Sequence, residues 1–222
     1  TDTTKASNVK LFAKGTLNWA SFMGRQRWTF SNTRNFGVAG DNTTQVLARV
    51  AAALASTTAG TFIIDCLTND APNGVSLAQS KINYQAIIDM ILADGRVCVC
   101  IAPRPRDITA AGLTMTAPMY RTHLARRDWV LGLHNPGKGI YVVDTWKYLA
   151  NPASTNGAMK TGYSYDGLHP GLLGGFWSGY ALAELLGMGR GPGLFPFIDV
   201  MVGQNTDIWN ADYARGTVNS NP

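Results

Sequence analysis

Short, almost wholly apolar runs alternate along this chain with longer stretches whose hydrophobic residues recur at helical spacing. Two runs, residues 61–66 (TFIIDC) and 96–102 (RVCVCIA), are typical of parallel strands that are buried on both faces. A third run, 140–144 (IYVVD), has the same character, and a further strand is expected over residues 28–38. The pattern therefore predicts a parallel sheet whose strands are separated by other elements.

Segments whose hydrophobic residues recur at helical spacing precede, separate or follow these strands. Ser76 and Gln79 form a capping-box pattern, and Asp94-Gly95 supplies a stop, which together predict one helix. Three more helices are predicted from similar signals: about 43–57, from near Pro118 to about Leu131, and about 171–186. Strands that alternate with helices through right-handed crossovers predict a three-layer α/β/α sandwich with a parallel sheet.

Two of these helices carry more specific expectations. In the helix that begins near Pro118, Tyr120, Leu124 and Leu131 share one face, which we expect to be buried. The last helix contains Gly175 and Gly179. Because glycine weakens a helix, we expect close packing on the sheet at these two positions.

The helical pattern ends at Gly187, and glycine, proline and asparagine punctuate the chain from there to Pro222. We therefore expect an α/β/α domain over residues 1–187 and a linker or strap over residues 188–222.

Composition narrows the class of protein. Of the 222 residues, 45% are hydrophobic and 15% are charged, which excludes a disordered or fibrous chain. The net charge of +5 is spread in small groups, so we expect no nucleic-acid partner. No apolar stretch approaches the ~18 residues of a membrane span, and no basic-then-apolar signal segment opens the chain. The low charge and the 24 glycines suit a secreted, virion-associated or surface-associated protein at least as well as a cytosolic one, and we expect the former.

The three cysteines, Cys66, Cys98 and Cys100, all fall in predicted buried strands. Their odd number and their burial argue against a disulfide framework. No Cys-x-x-Cys pair or histidine cluster supplies further ligands, so we predict buried thiols and no metal site.

Three polar clusters lie where a parallel α/β sheet binds its ligands, near the carboxyl ends of strands. Residues 35–44 (NFGVAGDNTT) form a glycine-bearing turn that enters a helix, residues 68–70 (TND) follow the first buried strand, and residues 166–170 (DGLHP) precede the last helix. Each has a structural interpretation, as a helix cap, a pair of turn formers, or a cap beside a satisfied histidine.

Taken together, the clusters also supply the parts of a hydrolytic site. Such a site requires an imidazole, a carboxylate that orients it, and donors aimed at a developing oxyanion. His169 and Asp166 lie on one turn and match the first two requirements. The Gly40 backbone N–H and the Asn69 side-chain amide are candidate donors.

These strings resemble conserved blocks of the SGNH (GDSL-type) hydrolase superfamily. NFGVAGDNTTQVLARV is similar to the second block, TND to the third and YDGLHP to the fifth, and order and spacing agree over most of residues 10–187. The resemblance implies a flavodoxin-like parallel sheet of order 2-1-3-4-5. It also implies that Gly40 and Asn69 are oxyanion-hole donors, that His169 is the general base and acid, and that Asp166 orients His169.

Members of this superfamily cleave acyl esters, including acetyl groups on carbohydrates, without a cofactor. The resemblance therefore implies a carboxylic-ester hydrolase or carbohydrate O-deacetylase, whose partner is an acyl ester or acetylated carbohydrate. From a different class, the alternative is a non-catalytic structural or glycan-binding module of a phage tail or another surface assembly.

The first block of the superfamily, a strand ending in Gly-Asp-Ser with the serine nucleophile, has no counterpart in this sequence. Residues 1–20 are similar to the loop and helix that follow that block, so we expect the first strand and the serine to be missing. An upstream segment could have been removed, another chain or the tail could fill the slot, or the protein could be non-catalytic. Residues 197–206 end like a first block but carry Gln204 and Asn205 in place of Asp and Ser, and Ser7 is not favoured as a nucleophile.

The remaining polar candidates have weaker support. Arg104 and Arg106 follow the strand 96–102, so they are candidates for holding a polar or anionic substrate, although a solvated loop explains them as well. His123 and His134 are interpreted as solvated or structural histidines.

Overall fold

The computed structural model describes residues 36–110 and 115–185. Of these, residues 36–110, 115–161 and 166–168 belong to one compact unit, here called the sheet unit. Residues 162–165 and 169–185 belong to a second compact unit, here called the helix unit. Ser7, the expected linker over 188–222 and the run 197–206 lie outside the described residues, as does the predicted strand 28–38 except for 36–38, which are irregular.

The sheet unit contains three strands in its described part, and all of them are parallel. They are β1 (Thr61–Ile64), β2 (Val97–Ile101) and β3 (Ile140–Val143), in the spatial order β1-β2-β3. Ile64 lies opposite Cys100, which in turn lies opposite Val142. The prediction of an α/β protein with a parallel sheet is confirmed, and the strand order matches the last three strands of the 2-1-3-4-5 sheet.

The sheet unit also contains four helices, of which the second and third connect its strands. They are α1 (Thr43–Ala55), α2 (Leu77–Ala93), α3 (Ala117–Leu131) and the single-turn α4 (Trp146–Leu149), with 3-10 turns at Leu67–Asn69 and Pro136–Lys138. The helix unit contributes α5 (Leu172–Leu185) to the described residues. No helix in the described part of the chain is long and apolar enough to cross a membrane.

Local sequence signals explain where these helices begin. The Asn42 side chain accepts a hydrogen bond from the Gln45 N–H, and the Gln45 side chain accepts one from the Asn42 N–H, which completes a capping box at α1. Thus Asn42, and neither Asp41 nor Thr43, is the cap residue. Ser76 caps α2 by accepting from the Gln79 N–H at 3.1 Å.

One face of the sheet packs against α2. Cys98 and Cys100 lie in β2 beside Tyr84, Ile87, Ile88 and Ile91 of α2, and all six residues are fully buried. The three cysteines are free thiols and buried, as predicted. Val99, Ile101 and Val143, which point to the opposite face of the strands, are also buried. Burial on both faces explains why these strands are continuous apolar runs.

The buried face of α3 differs from the sequence prediction. His123, Arg126 and Val130 are the buried residues of this helix, whereas Tyr120 and Leu124 are only half-buried. The prediction from hydrophobic spacing was wrong here because His123 and Arg126 find hydrogen-bond partners in other segments, which allows polar side chains to occupy the inner face.

In the helix unit, a glycine permits a close backbone approach at the start of α5. A Cβ atom at Gly174 would lie within 3.0 Å of the Tyr163 carbonyl oxygen and at 3.0 Å from Pro170 Cβ. Gly175 and Gly179, where close packing was expected, are buried.

Candidate active site

The turn before α1 presents the Gly40 backbone to solvent. Asp41 N–H donates to the Val38 carbonyl at 3.3 Å, and Gly40 has a φ of +86°, which favours glycine at the third position of such a turn. Gly40 is exposed, and within the described residues its N–H donates to no acceptor. This N–H is therefore available to a ligand.

Asn69 ends the 3-10 turn that follows β1, and its side chain reaches the Gly40 turn. The Asn69 Nδ2 donates to the Asp41 carbonyl at 3.1 Å. An amide nitrogen carries two N–H groups, so this bond leaves one N–H for another acceptor. The structure thus brings together the two predicted oxyanion donors, Gly40 and Asn69. Asn69 bonds to Asp41, which is the residue that directly follows Gly40.

Asp70, the next residue, holds the beginning of α1. Its carboxylate accepts from the Thr43 N–H at 2.8 Å and from the Thr43 hydroxyl at 2.9 Å. Asp70 is fully buried, and a carboxylate at the N-terminus of a helix interacts favourably with the helix dipole. From the sequence alone, Asp70 is interpreted only as a residue that favours a turn.

Two arginines follow β2 at the same end of the sheet. Arg104 forms an ion pair with Asp65, with Nη2 2.6 Å from Oδ2. Arg106 is almost completely buried, and its Nη1 donates to the Thr68 carbonyl at 3.1 Å. Arg106 therefore supports the segment that carries Asn69, and the interpretation of both arginines as a solvated loop does not apply to Arg106.

The Asp166 segment belongs to the sheet unit and is anchored to the residues that follow β2. The Gly167 carbonyl accepts from the Asp107 N–H at 2.9 Å, and the Asp166 carboxylate accepts from the Leu168 N–H at 2.9 Å. Burial lowers the pKa of Arg106, and the nearby Asp166 carboxylate acts in the opposite direction. Asp166 thus lies at the carboxyl end of the sheet, where ligands bind in parallel α/β folds.

His169 belongs to the helix unit. It is exposed, its ring stacks on Tyr165 with the centroids 5.8 Å apart, and its carbonyl accepts from the Ser164 hydroxyl at 2.8 Å. Asp166 and His169 therefore fall in different units, and the hydrogen bond expected between their side chains stays a prediction.

A buried histidine, His123, is hydrogen-bonded to the backbone of Arg104. The His123 Nε2 lies 2.8 Å from the Arg104 carbonyl, which can only accept, so Nε2 carries the proton. Burial is the largest cause that lowers the pKa of His123 to about 4. His123 is therefore neutral and structural at neutral pH.

Sequence reasoning missed Arg126, a fully buried cation in the middle of α3. Its Nε donates to the Ser80 hydroxyl at 2.8 Å and lies 3.9 Å from Asp70 Oδ2. No local sequence signal reveals this burial, because Ser80 and Asp70 are distant from Arg126 in the chain. Among the described residues, no group of three or more His, Cys, Asp or Glu side chains is arranged to hold a metal ion.

Comparison with protein families finds a match over residues 7–174 with the GDSL-like Lipase/Acylhydrolase family. Among solved structures, a protein assigned to the G-D-S-L lipolytic family from Desulfitobacterium hafniense DCB-2 superposes with a TM-score of 0.57 at 18% identity, covering 75% of this chain and 87% of that chain. A GDSL-like lipase from Bacteroides thetaiotaomicron VPI-5482 superposes with a TM-score of 0.55 at 16% identity, covering 68% and 71%. At these identities the structural matches establish the fold alone. Comparison with curated protein sequences finds no match.

Proposed function

Because the chain belongs to the GDSL-like Lipase/Acylhydrolase family, whose members are ester hydrolases, we propose that it is a serine-type carboxylic-ester hydrolase, with acetylated carbohydrate as its substrate class. The observation that carries this proposal is a pair of donors on two turns that are hydrogen-bonded to each other. The exposed Gly40 N–H has no acceptor within the described residues, and Asn69 is bonded to the neighbouring Asp41 carbonyl. Two preorganised donors at a strand end are suited to an oxyanion.

In the proposed reaction, a serine hydroxyl attacks the ester carbonyl carbon while His169 accepts the hydroxyl proton. The carbonyl oxygen becomes an oxyanion, which accepts hydrogen bonds from the Gly40 N–H and the Asn69 amide. When the carbon–oxygen bond of the ester breaks, His169 returns the proton to the leaving alcohol. Water then hydrolyses the acyl-serine by the same route, and Asp166 orients His169 throughout.

The sequence lacks the motif that usually carries the nucleophilic serine in this family. No Gly-Asp-Ser occurs in the 222 residues. We propose that a segment outside these residues, or another chain, supplies the serine and the first strand of the sheet.

One feature supports a polar substrate. Tyr165, whose residue exposure is 74%, presents its ring next to His169 in the helix unit. Exposed aromatic rings combine an apolar face with a polar hydroxyl. Such a ring is suited to the mixed surface of a sugar.

The test uses the complete protein, including the segment that supplies the serine. We expect it to hydrolyse p-nitrophenyl acetate and to release acetate from an acetylated oligosaccharide. Asp166→Asn should lower kcat by roughly 10⁴-fold, by analogy with serine hydrolases whose histidine loses its orientation, and His169→Ala should lower kcat by several orders of magnitude. His134→Ala, which replaces an exposed histidine elsewhere, serves as the matched control.

Different failures of this experiment overturn different parts of the proposal. Near-normal turnover by either site variant rejects the assignment of His169 or Asp166. Hydrolysis of the nitrophenyl ester without release of acetate from the oligosaccharide rejects the substrate class alone. If the complete protein hydrolyses no ester but binds a glycan, the non-catalytic alternative is correct.

A further inference from the structure

Five buried polar side chains meet directly behind the Gly40 turn, and we call them the Asp70 cluster. They come from the start of α1, the end of the 3-10 turn, α2 and α3: Thr43, Asp70, Ser80, Asn83 and Arg126. Asn83 is 4% exposed and the other four are 0% exposed. The mechanism above uses none of them.

Asp70 joins the two segments that carry the oxyanion donors. It follows Asn69 directly in the chain, and both of its carboxylate oxygens accept hydrogen bonds from Thr43, which lies three residues after Gly40. The Asn69 Nδ2 makes a second connection, to the Asp41 carbonyl. Two residue pairs thus hold the Asn69 turn against the segment that leads from Gly40 to α1.

The rest of the cluster holds Asp70 and Thr43 in place. The Asn83 Nδ2 donates to the Thr43 hydroxyl at 3.1 Å. The Arg126 guanidinium donates to the Ser80 hydroxyl and the Val75 carbonyl, and its Nε lies 3.9 Å from Asp70 Oδ2. A buried carboxylate requires such a nearby cation, because an unpaired buried charge is very costly.

A buried ion pair is a poor means of increasing stability, since well-packed apolar residues often stabilise a core as much or more. The Asp70 cluster instead provides directional hydrogen bonds between segments that are 27 residues apart in the chain. Directional bonds define the separation of two backbone segments more narrowly than apolar contact does.

We propose that Asp70 is a positioning residue, which, with Thr43 and Arg126, sets the separation between the Gly40 N–H and the Asn69 amide. This inference rests on the proposed function, because it concerns the donors of that reaction. A displacement of about 1 Å in a catalytic group can cost on the order of 100-fold in rate. Asp70 therefore acts on the turnover number through Asn69 and Gly40, without contact with the substrate.

The test compares Asp70→Asn with a variant that is destabilised without any contact to Asp70. Asp70→Asn keeps the shape of the side chain but cannot accept both Thr43 hydrogen bonds as the carboxylate does, and it leaves the Arg126 charge unbalanced. Val130→Ala truncates a fully buried residue of α3 and serves as the matched control. For both variants, the complete protein is assayed for Tm and for kcat and KM on p-nitrophenyl acetate.

We expect Asp70→Asn to lower kcat by roughly 10- to 100-fold with little change in KM, at a temperature where both variants are folded. Val130→Ala should lower Tm and leave kcat unchanged. In Asp70→Asn, the amide of Thr43 should also exchange hydrogen faster, while the amides of β2 should not.

Thr43→Val and Thr43→Ser provide a second pair if Asp70→Asn does not fold. Thr43→Val removes the hydroxyl that Asp70 accepts from, so kcat should fall, whereas Thr43→Ser retains the hydroxyl and should restore it. If Asp70→Asn and Thr43→Val both turn over like Val130→Ala, the positioning role is wrong and the ester hydrolase stands. If the unaltered protein hydrolyses no ester, the proposed function fails, and this inference fails with it.

Discussion

His123 gives the described structure its clearest dependence on pH at the scale of a single residue. Burial holds the pKa of His123 at about 4, below its ordinary value of 6.5. Between these values the unfolded chain binds a proton at this position and the folded chain does not. The free energy of unfolding therefore falls as the pH falls from 6.5 to 4, and the contribution is fully present above pH 6.5.

We expect His123→Gln to flatten this dependence. Glutamine can still donate to the Arg104 carbonyl, but it does not titrate. The wild-type protein should lose roughly 3 kcal/mol more than the variant between pH 7 and pH 4, as measured by urea unfolding at several pH values. Asn151→Ala, which changes a loop asparagine and removes no titrating group, is the control and should keep the wild-type slope. Parallel pH profiles for wild type and His123→Gln would mean that His123 is not buried as a neutral ring.

The sequence points to Gly40 and Asn69 as candidates more readily than to the residues that support them. Both stand in short polar strings near predicted strand ends or helix starts, so local reasoning can select them as candidates. Arg126 bonds to Ser80, 46 residues earlier, and His123 bonds to the segment after β2. Helical spacing alone treats both as polar surface positions, because their burial depends on partners that are distant in the chain.

At the scale of elements, helix starts were predictable because capping is local. Ser76 and Gln79 are three residues apart, and the structure has Ser76 as the cap of α2. Strand ends were less predictable. β1 ends at Ile64, although the apolar run continues to Cys66, because the chain turns into the 3-10 segment that carries Asn69. Cys66 lies beyond the end of β1 but is still buried, which explains why the apolar run extends past Ile64.

The start of α5 offers a test of close packing at this scale. Gly174→Ala would place a Cβ well inside contact distance of the Tyr163 carbonyl, whereas a Cβ at Gly171 would lie 3.7 Å from the same oxygen. We expect Gly174→Ala to lower the free energy of unfolding by about 1–3 kcal/mol through overpacking. Gly171→Ala is the matched control and should cost much less. Equal urea midpoints for the two variants would show that α5 does not approach residue 163 so closely.

At the scale of the whole molecule, parallel strands and crossover helices follow from periodicity, and the family follows from the three polar blocks. The substrate does not follow from either, since loops determine specificity and loops carry no periodic signal. The relation between the side chains of Asp166 and His169 likewise does not follow, because the two residues belong to different units and a separation of three residues in the sequence does not specify it.

Asn69→Ala removes one of the two donors of the proposed oxyanion hole, which Asn69 and Gly40 form. Removal of one oxyanion donor typically lowers kcat by about 10²–10³-fold. The measurement is kcat for p-nitrophenyl acetate with the complete protein, alongside Asn151→Ala, which alters another half-buried loop asparagine that caps only its local turn. We predict a loss of that size for Asn69→Ala, with KM nearly unchanged, and wild-type turnover for Asn151→Ala. Turnover by Asn69→Ala within about twofold of wild type would contradict the account, because a donor worth that little is not stabilising the transition state.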